Sequence, residues 1–434
     1  MIEKRILWGG HYAAELQSPE AYRRRRRAVQ RRLGSNDVAV VLGASDARGY
    51  GDVGTFRQEP NFFYLTGVEL PNAALLLERE RETLFLPARR PAIEAWTGPK
   101  LGPGGDTARL LGFDAVLGRD ASEVVVEARR RPVPGFAERV ADAVARGGAL
   151  WLRLPQPSTG GQLSEEQQLA QALRDRVVGF TVRDLSPLLT GMRLVKSSEE
   201  RTLMRSAVGA TAAAMKAAAA AIRPGSSEGA VEGAAFAALR AAGAEGWSFP
   251  PIVGSGVAGC VLHYDANRGT LAAGELVVVD IGARWGYYCG DLTRTFPVDG
   301  SFTRRQRELY RAVLRAYDAA VAVLRPGATL GQARNAAYAA LQHSRAKGDG
   351  GRALGQFFIH GLGHFLGLET HDVGGESPEL QRGMVVTVEP GIYLPGERVG
   401  IRVEDDYLIT EDGAECLSAE LPRDLDAVEA MVAG

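Results

Sequence analysis

Between residues 275 and 296 an apolar pattern is interrupted where a core side chain is expected. Leu276-Val277-Val278-Val279-Asp280-Ile281 reads as a buried strand that contains a carboxylate, and a second strand carrying Asp291 follows over 287–296. A buried carboxylate is tolerated only when it is protonated, paired or bound to a cation. The chain must therefore fold so that counter-charge gathers around a sheet. If Trp285-Gly286 is a two-residue hairpin loop, Asp280 stands directly opposite Asp291, with Cβ atoms about 4.5–5.5 Å apart. The pattern recurs later. Met384-Val385-Val386-Thr387-Val388-Glu389 is a strand halted by Pro390-Gly391, and a strand over 399–409 presents Arg402 and Glu404 on one face by its two-residue period. Four of the six histidines, His263, His360, His364 and His371, fall in the same region. The glycines of His360-Gly361-Leu362-Gly363-His364 argue against a regular helix and leave a histidine free to approach a metal. Carboxylates with a nearby imidazole make a hard, oxygen-rich site, suited to one or two ions such as Mn²⁺, Co²⁺ or Zn²⁺. His11 and His343 read as ordinary core or surface groups.

The rest of the chain supplies the setting. Its 434 residues predict two or three domains. A formal net charge of −1 gives no electrostatic reason to expect a nucleic-acid or membrane-surface binder. No run approaches the ~18 apolar residues of a membrane helix, and residues 1–5 do not begin a signal peptide. Three widely spaced cysteines, Cys260, Cys289 and Cys416, argue against a disulfide framework and for the cytoplasm. Strands at 38–42, 73–77, 83–86 and 123–126 alternate with helices at 18–34, 137–146 and 165–176, which predicts an α/β first domain. The loop after residue 42 matches neither the dinucleotide nor the phosphate-loop pattern. The run Arg23 to Arg27 is expected to be a solvated helix face. Pro187 and Gly191 mark a boundary, so the expected domains are 1–190 and 191–434. Beyond it, Ser197 and Glu200 offer a capping box, followed by helices at 208–222, 228–242 and 304–324 and several strands. That is an antiparallel sheet flanked by helices, of the α+β kind. Gly254-Ser255-Gly256 lacks a nucleophile elbow, nothing orients Cys289 toward a base, and there is no HExxH or paired CxxC.

Taken in order, the segments around Asp280, Asp291, His360–His364, Glu389-Pro390-Gly391 and Gly400-Ile401-Arg402-Val403-Glu404-Asp405 resemble the ligand set of the pita-bread metallopeptidases. The resemblance is greatest to Xaa-Pro aminopeptidases (aminopeptidase P), with Xaa-Pro dipeptidases (prolidases) next. Phe56 to Gly67 and Trp96-Thr97-Gly98 resemble that family's N-terminal domain, and Arg193-Leu194-Val195-Lys196-Ser197-Ser198-Glu199-Glu200 resembles its domain junction. The resemblance implies an α/β domain followed by a pita-bread catalytic domain. It implies two divalent metal ions, usually manganese. Asp280 would bind one, Asp291 and Glu404 would bridge, and His364 and Glu389 would bind the other. It further implies that a metal-activated water attacks the carbonyl preceding proline. His371, with His263, would stabilise the oxyanion; Glu389 would carry a proton to the proline nitrogen; Arg402 would orient carboxylates. His360, with His263, would line the proline pocket, and Trp96 would reach a neighbour's site in a homodimer or homotetramer. The expected substrates are proline-containing peptides. The alternatives are a dipeptidase restricted to Xaa-Pro and a non-catalytic pita-bread binding module. One departure bears on peptide length: the loop 392–399 is shorter than in the long bacterial aminopeptidases P and the prolidases.

Overall fold

The computed structural model describes residues 17–45, 56–126, 129–154, 161–375 and 378–433. By its internal contacts the chain divides into two units, Met1–Met192 and Arg193–Gly434. No helix among the described residues is long and apolar enough to cross a membrane.

The first unit carries a six-stranded sheet in the order Ala115–Gly118, Glu82–Leu86, Ala74–Glu78, Val38–Leu42, Ala149–Leu152, Thr181–Asp184. Val38–Leu42 pairs antiparallel with Ala74–Glu78 and parallel with Ala149–Leu152, so the sheet is mixed. Helix Pro19–Gln30 starts where expected: the Ser18 hydroxyl accepts from Ala21 N and Pro19 supplies a pre-set φ. Its arginine run is not simply solvated. The buried stripe of this helix, Ala21, Tyr22, Arg25, Arg26 and Val29, includes two of the arginines. Arg26 is fully buried, with Nε 2.6 Å from Glu82 Oε2 and further bonds to Leu65 O and Gly112 O. Charge counting along the run misses this because helical periodicity, not composition, selects which residues turn inward.

In the second unit the capping box forms, Ser197 Oγ accepting from Glu200 N and the Glu200 carboxylate accepting from Ser197 N. It opens a 24-residue helix, Ser198–Ala221. The alanines of this helix let a strand edge approach closely: a Cβ on Gly290 would lie 3.0 Å from the backbone at Ala207. Strands Ile252–Ser255, Leu276–Ile281 and Leu292–Pro297 form one antiparallel sheet, and Val385–Val388, Asp405–Ile409 and Ala414–Cys416 another. The hairpin Gly391–Leu394/Val399–Arg402 completes the wall, and a Thr293–Glu404 bridge joins the groups. Helices Glu228–Ala241, Arg304–Val321 and Leu330–Gln342 contribute Val231, Leu239, Leu309, Val313, Tyr317 and Leu341 to the core.

The hairpin register differs from the expected one. Gly286 and Tyr287, both at positive φ (55° and 73°), are the turn. Trp285 therefore pairs with Tyr288, and Asp280 faces Thr293 rather than Asp291. Two successive residues at positive φ give a tight turn the twist that a right-handed hairpin needs. A tyrosine is not a residue type that advertises such a position; here Glu245 holds the turn by accepting from Gly286 N at 2.8 Å. Asp291 stands two residues before Thr293, just ahead of strand Leu292–Pro297 and diagonal to Asp280. The strand expected over 399–409 is also broken, at Val403-Glu404.

Candidate metal centre

His360–His364 runs beside strand Val385–Val388, where Thr387 N donates to His364 O, Glu389 N to Leu362 O and Leu366 N to Val385 O. The glycine at 363 is a steric requirement, since a Cβ there would lie 2.1 Å from Thr387 O. This pairing aims His364 at the carboxylates. Its Nδ1 lies 3.2 Å from Phe365 O, and a carbonyl can only accept, so Nδ1 carries the hydrogen and Nε2 keeps its lone pair. Nε2 stands 3.5 Å from Asp291 Oδ2 and 3.5 Å from Glu389 Oε1. Ligand-type atoms of Asp291, His364 and Glu404 all lie within 4.8 Å of one another.

Asp280 is held by Arg402, whose Nη2 donates to Oδ2 at 2.6 Å. The same guanidinium reaches Tyr393 Oη at 2.9 Å and Thr293 Oγ1 at 3.3 Å. Thr293 in turn donates to Glu404 Oε2 at 2.6 Å. Arg402 and Glu404 thus converge through Thr293 although their strand is broken between them. His360 Nδ1 donates to Gly361 O, which leaves Nε2 to accept from Tyr393 Oη at 2.9 Å.

The arrangement is electrostatically incomplete. Asp280 Oδ1, Asp291 Oδ1, Glu404 Oε1 and Asp406 Oδ1 are buried without a hydrogen-bond partner. Burial, and then the charges of Glu404 and Asp280, push Asp291 well above the usual carboxylate range. Burial with Glu389 and Asp280 does the same to Glu404, burial raises Asp406, and burial pushes Glu389 up to about 8. Burial, then His371, pushes His364 down to about 4. Orphaned buried oxygens each cost on the order of 1–3 kcal/mol, more when charged. Hard carboxylates around a neutral imidazole nitrogen are a donor set that divalent cations satisfy. The residues fit such ions.

His371 lies beside this group, its ring 4.3 Å from that of His364 and 6.4 Å from that of His263. His360 packs edge-on against Phe358 at 5.1 Å. The four clustered histidines of the sequence are therefore gathered around one set of carboxylates. His343 caps a helix, its Nδ1 donating to Ala339 O at 2.8 Å; His11 and the residues 46–49 after the first strand lie outside the described residues. Trp96 belongs to the first unit, on helix Pro91–Thr97, and is 83% exposed.

Several residues of the site escape sequence reasoning. Thr293 and Tyr393 are ordinary strand residues until the pairing is known. Asp406, whose Oδ2 accepts from Asp291 N at 3.0 Å, did carry a signal: it continues the alternation begun by Glu404. Glu228, fully buried, accepts from Ser255 N, Ser255 Oγ, Tyr264 Oη and Gly269 N and so ties down the loop that carries His263.

Comparison with known proteins gives a consistent result. The pattern of metallopeptidase family M24 matches residues 202–411, and that of the aminopeptidase P N-terminal domain matches 22–129. The chain is 33% identical to the Xaa-Pro aminopeptidase of Haemophilus influenzae, over 96% of this chain and 98% of that one. The figures for the Xaa-Pro aminopeptidase of Escherichia coli are the same. The structure of zinc-substituted Escherichia coli aminopeptidase P in complex with product matches with a TM-score of 0.83 at 30% identity, covering 96% of this chain and 98% of that chain.

Proposed function

Because the chain belongs to metallopeptidase family M24 and carries the aminopeptidase P N-terminal domain, we propose that it removes the first residue from peptides whose second residue is proline. It is a metallo-aminopeptidase with the two-domain fold of that family, an α/β N-terminal domain and a pita-bread catalytic domain. In this reading the domains are 1–190 and 191–434. Likeness to Xaa-Pro aminopeptidases along nearly the whole chain favours this over a dipeptidase, and the intact set of acids and imidazoles favours it over a binding module.

The observation that carries the reading is the set of unpartnered, buried carboxylate oxygens on Asp280, Asp291 and Glu404 beside the lone pair of His364. Asp280, Asp291, His364, Glu389 and Glu404 would hold two divalent ions, manganese by preference, with cobalt or zinc competing for the same ligands. When bound, the ions supply positive charge that polarises the scissile carbonyl and acidifies water. Arg402, bonded to Asp280, keeps that carboxylate pointed at the site. His371 and His263 would donate hydrogen bonds to the carbonyl oxygen as it gains charge. Glu389, with Oε2 3.8 Å from His360 Nδ1, would move a proton to the departing proline nitrogen. His360, Tyr393 and Phe358 make an aromatic wall suited to the proline ring. Burial and Arg402 hold His360 down at about 4, which keeps that wall uncharged at neutral pH. Trp96, exposed on the first unit, is available to a second copy in a homodimer or homotetramer, and free cysteines accord with a cytoplasmic setting.

The test supplies manganese and compares an Xaa-Pro-Yaa tripeptide with an Xaa-Pro dipeptide. Efficient release of the first residue from the tripeptide is expected. Turnover of the dipeptide alone would replace this reading by that of a dipeptidase, and inactivity with every divalent metal would favour the binding module. Light scattering reads the oligomer directly, and a monomer would remove the role of Trp96.

A further inference from the structure

His371 is an exposed side chain that must be aimed without help from its own ring. The ring touches those of His364 and His263 and hydrogen-bonds to no other group among the described residues. What places it is the backbone on either side. Gly367 N donates to Glu369 O at 3.1 Å, and Asp372 N donates to Phe365 O at 2.9 Å, which closes a tight loop between His364 and His371. The carboxylate of Asp372 then turns inward, where its side chain is 1% exposed. There it meets two cations. Arg193 Nη2 donates to Oδ1, and Lys196 Nζ lies 3.4 Å from Oδ2, with side chains 2% and 1% exposed. Arg193 Nη2 also reaches Glu369 Oε2 at 3.0 Å, so one nitrogen ties together two points of the same loop. The packing leaves no slack: a Cβ on Gly367 would lie 2.1 Å from Asp372 Oδ2.

Desolvating such a cluster is expensive, and apolar residues of similar volume would hold a loop at least as firmly. What two buried cations on one carboxylate supply instead is a single allowed position for the backbone of the residue before it. We propose that Arg193 and Lys196 are positioning residues for His371, acting through Asp372, and that this clamp sets the hydrogen bond which His371 gives to the carbonyl oxygen of the peptide. The proposal rests on the role assigned to His371 above. Neither cation touches substrate.

The experiment is a double-mutant cycle in kcat on the manganese-loaded full chain with an Xaa-Pro-Yaa tripeptide. Arg193→Met is expected to lower kcat by about 10- to 100-fold, the cost of a displacement of about 1 Å at a reacting group, with KM and bound metal unchanged. Both described bonds from Arg193 to the loop come from one nitrogen, so Arg193→Lys should recover most of that loss. In a His371→Ala background Arg193→Met should cost less than about 2-fold, because the group it positions is gone. A purely structural arginine would cost the same factor in both backgrounds, and that result overturns the proposal, as does loss of metal from Arg193→Met. Should Arg193→Met not fold, Asp372→Asn runs the same cycle with the same expected non-additivity. If His371→Ala by itself leaves kcat intact, the role of His371 falls and the clamp with it. A large His371→Ala loss with an additive cycle removes the clamp alone.

Discussion

Stripped of divalent metal, the chain should lose stability steadily as pH rises from about 5 to about 8. Four carboxyls at the centre, on Asp291, Glu389, Glu404 and Asp406, are raised in the folded state by burial first, and then by neighbouring negative charge: Glu404 and Asp280 at Asp291, Glu389 and Asp280 at Glu404, Asp280 at Glu389 and Asp405 at Asp406. A carboxyl whose folded pKa exceeds its unfolded value binds more protons when folded, so stability is fully present below the unfolded pKa and is lost as pH climbs through the folded one. For Glu389 the window runs from the ordinary 4.5 to about 8. At ~1.4 kcal/mol per pH unit, ionising this one group in the folded chain costs on the order of 5 kcal/mol. That is comparable to a whole domain's net stability of about 5–15 kcal/mol, and the other three carboxyls act in the same direction. For a unit of this size it corresponds to a fall in Tm of roughly 10–20 °C. Metal reverses the sign: carboxylates must be ionised to bind a cation, so loading the site releases protons and lifts the penalty. Thermal melts of chelated and manganese-reloaded protein between pH 5 and 9 read the first effect. The second is read by calorimetric titration of manganese in two buffers of different ionisation enthalpy. At about pH 7 at least one proton per chain should be released, because Glu389 is pushed up to about 8 in the metal-free chain. A chelated protein whose Tm is flat across this range, or metal binding without proton release at neutral pH, would refute the electrostatic argument.

Three substitutions probe other links. Asp291→Ala should abolish metal-dependent hydrolysis while leaving the metal-free protein at least as stable as its parent near pH 8, since one buried like charge is removed; assays and melts on the same preparation check both, and retained activity would exclude Asp291 as a ligand. Gly363→Ala puts a methyl 2.1 Å from Thr387 O, so the segment bearing His364 must shift, and metal affinity measured against a competing chelator should fall by about 10-fold or more. Unchanged affinity would mean that pairing with strand Val385–Val388 does not aim His364. Thr303→Ala removes the hydroxyl that accepts from Gln306 N at 3.2 Å and should cost ~1 kcal/mol in denaturant melts with kcat unaltered.

Local chemistry makes much of this chain readable from its sequence. Ser197 and Glu200 announce a helix start because both partners of the capping box lie within one turn. Gly361 and Gly363 exclude a helix between two histidines, and the structure runs that segment along a strand instead. Acids at 280, 291, 389 and 404 stand out because each breaks an apolar run; the structure gathers Asp291, Glu389 and Glu404 around His364 and ties Asp280 to Glu404 through Arg402 and Thr293. Tertiary structure decided the rest. The Gly286-Tyr287 turn moved the register so that Asp280 faces Thr293, and an inward helical stripe buried Arg25 and Arg26 from a run that reads as solvated. Thr293, Tyr393, Asp406 and the Arg193–Lys196–Asp372 cluster gain their partners from segments about 100 or more residues away in several cases, as with Thr293 and Glu404 at a separation of 111. A sequence exposes which backbone conformations and which carboxylates are out of place, because those are costs paid within a few residues. Which buried oxygens end with a hydrogen-bond donor and which are left over for a cation depends on strands paired across the fold, and that is settled only when the chain has closed on itself.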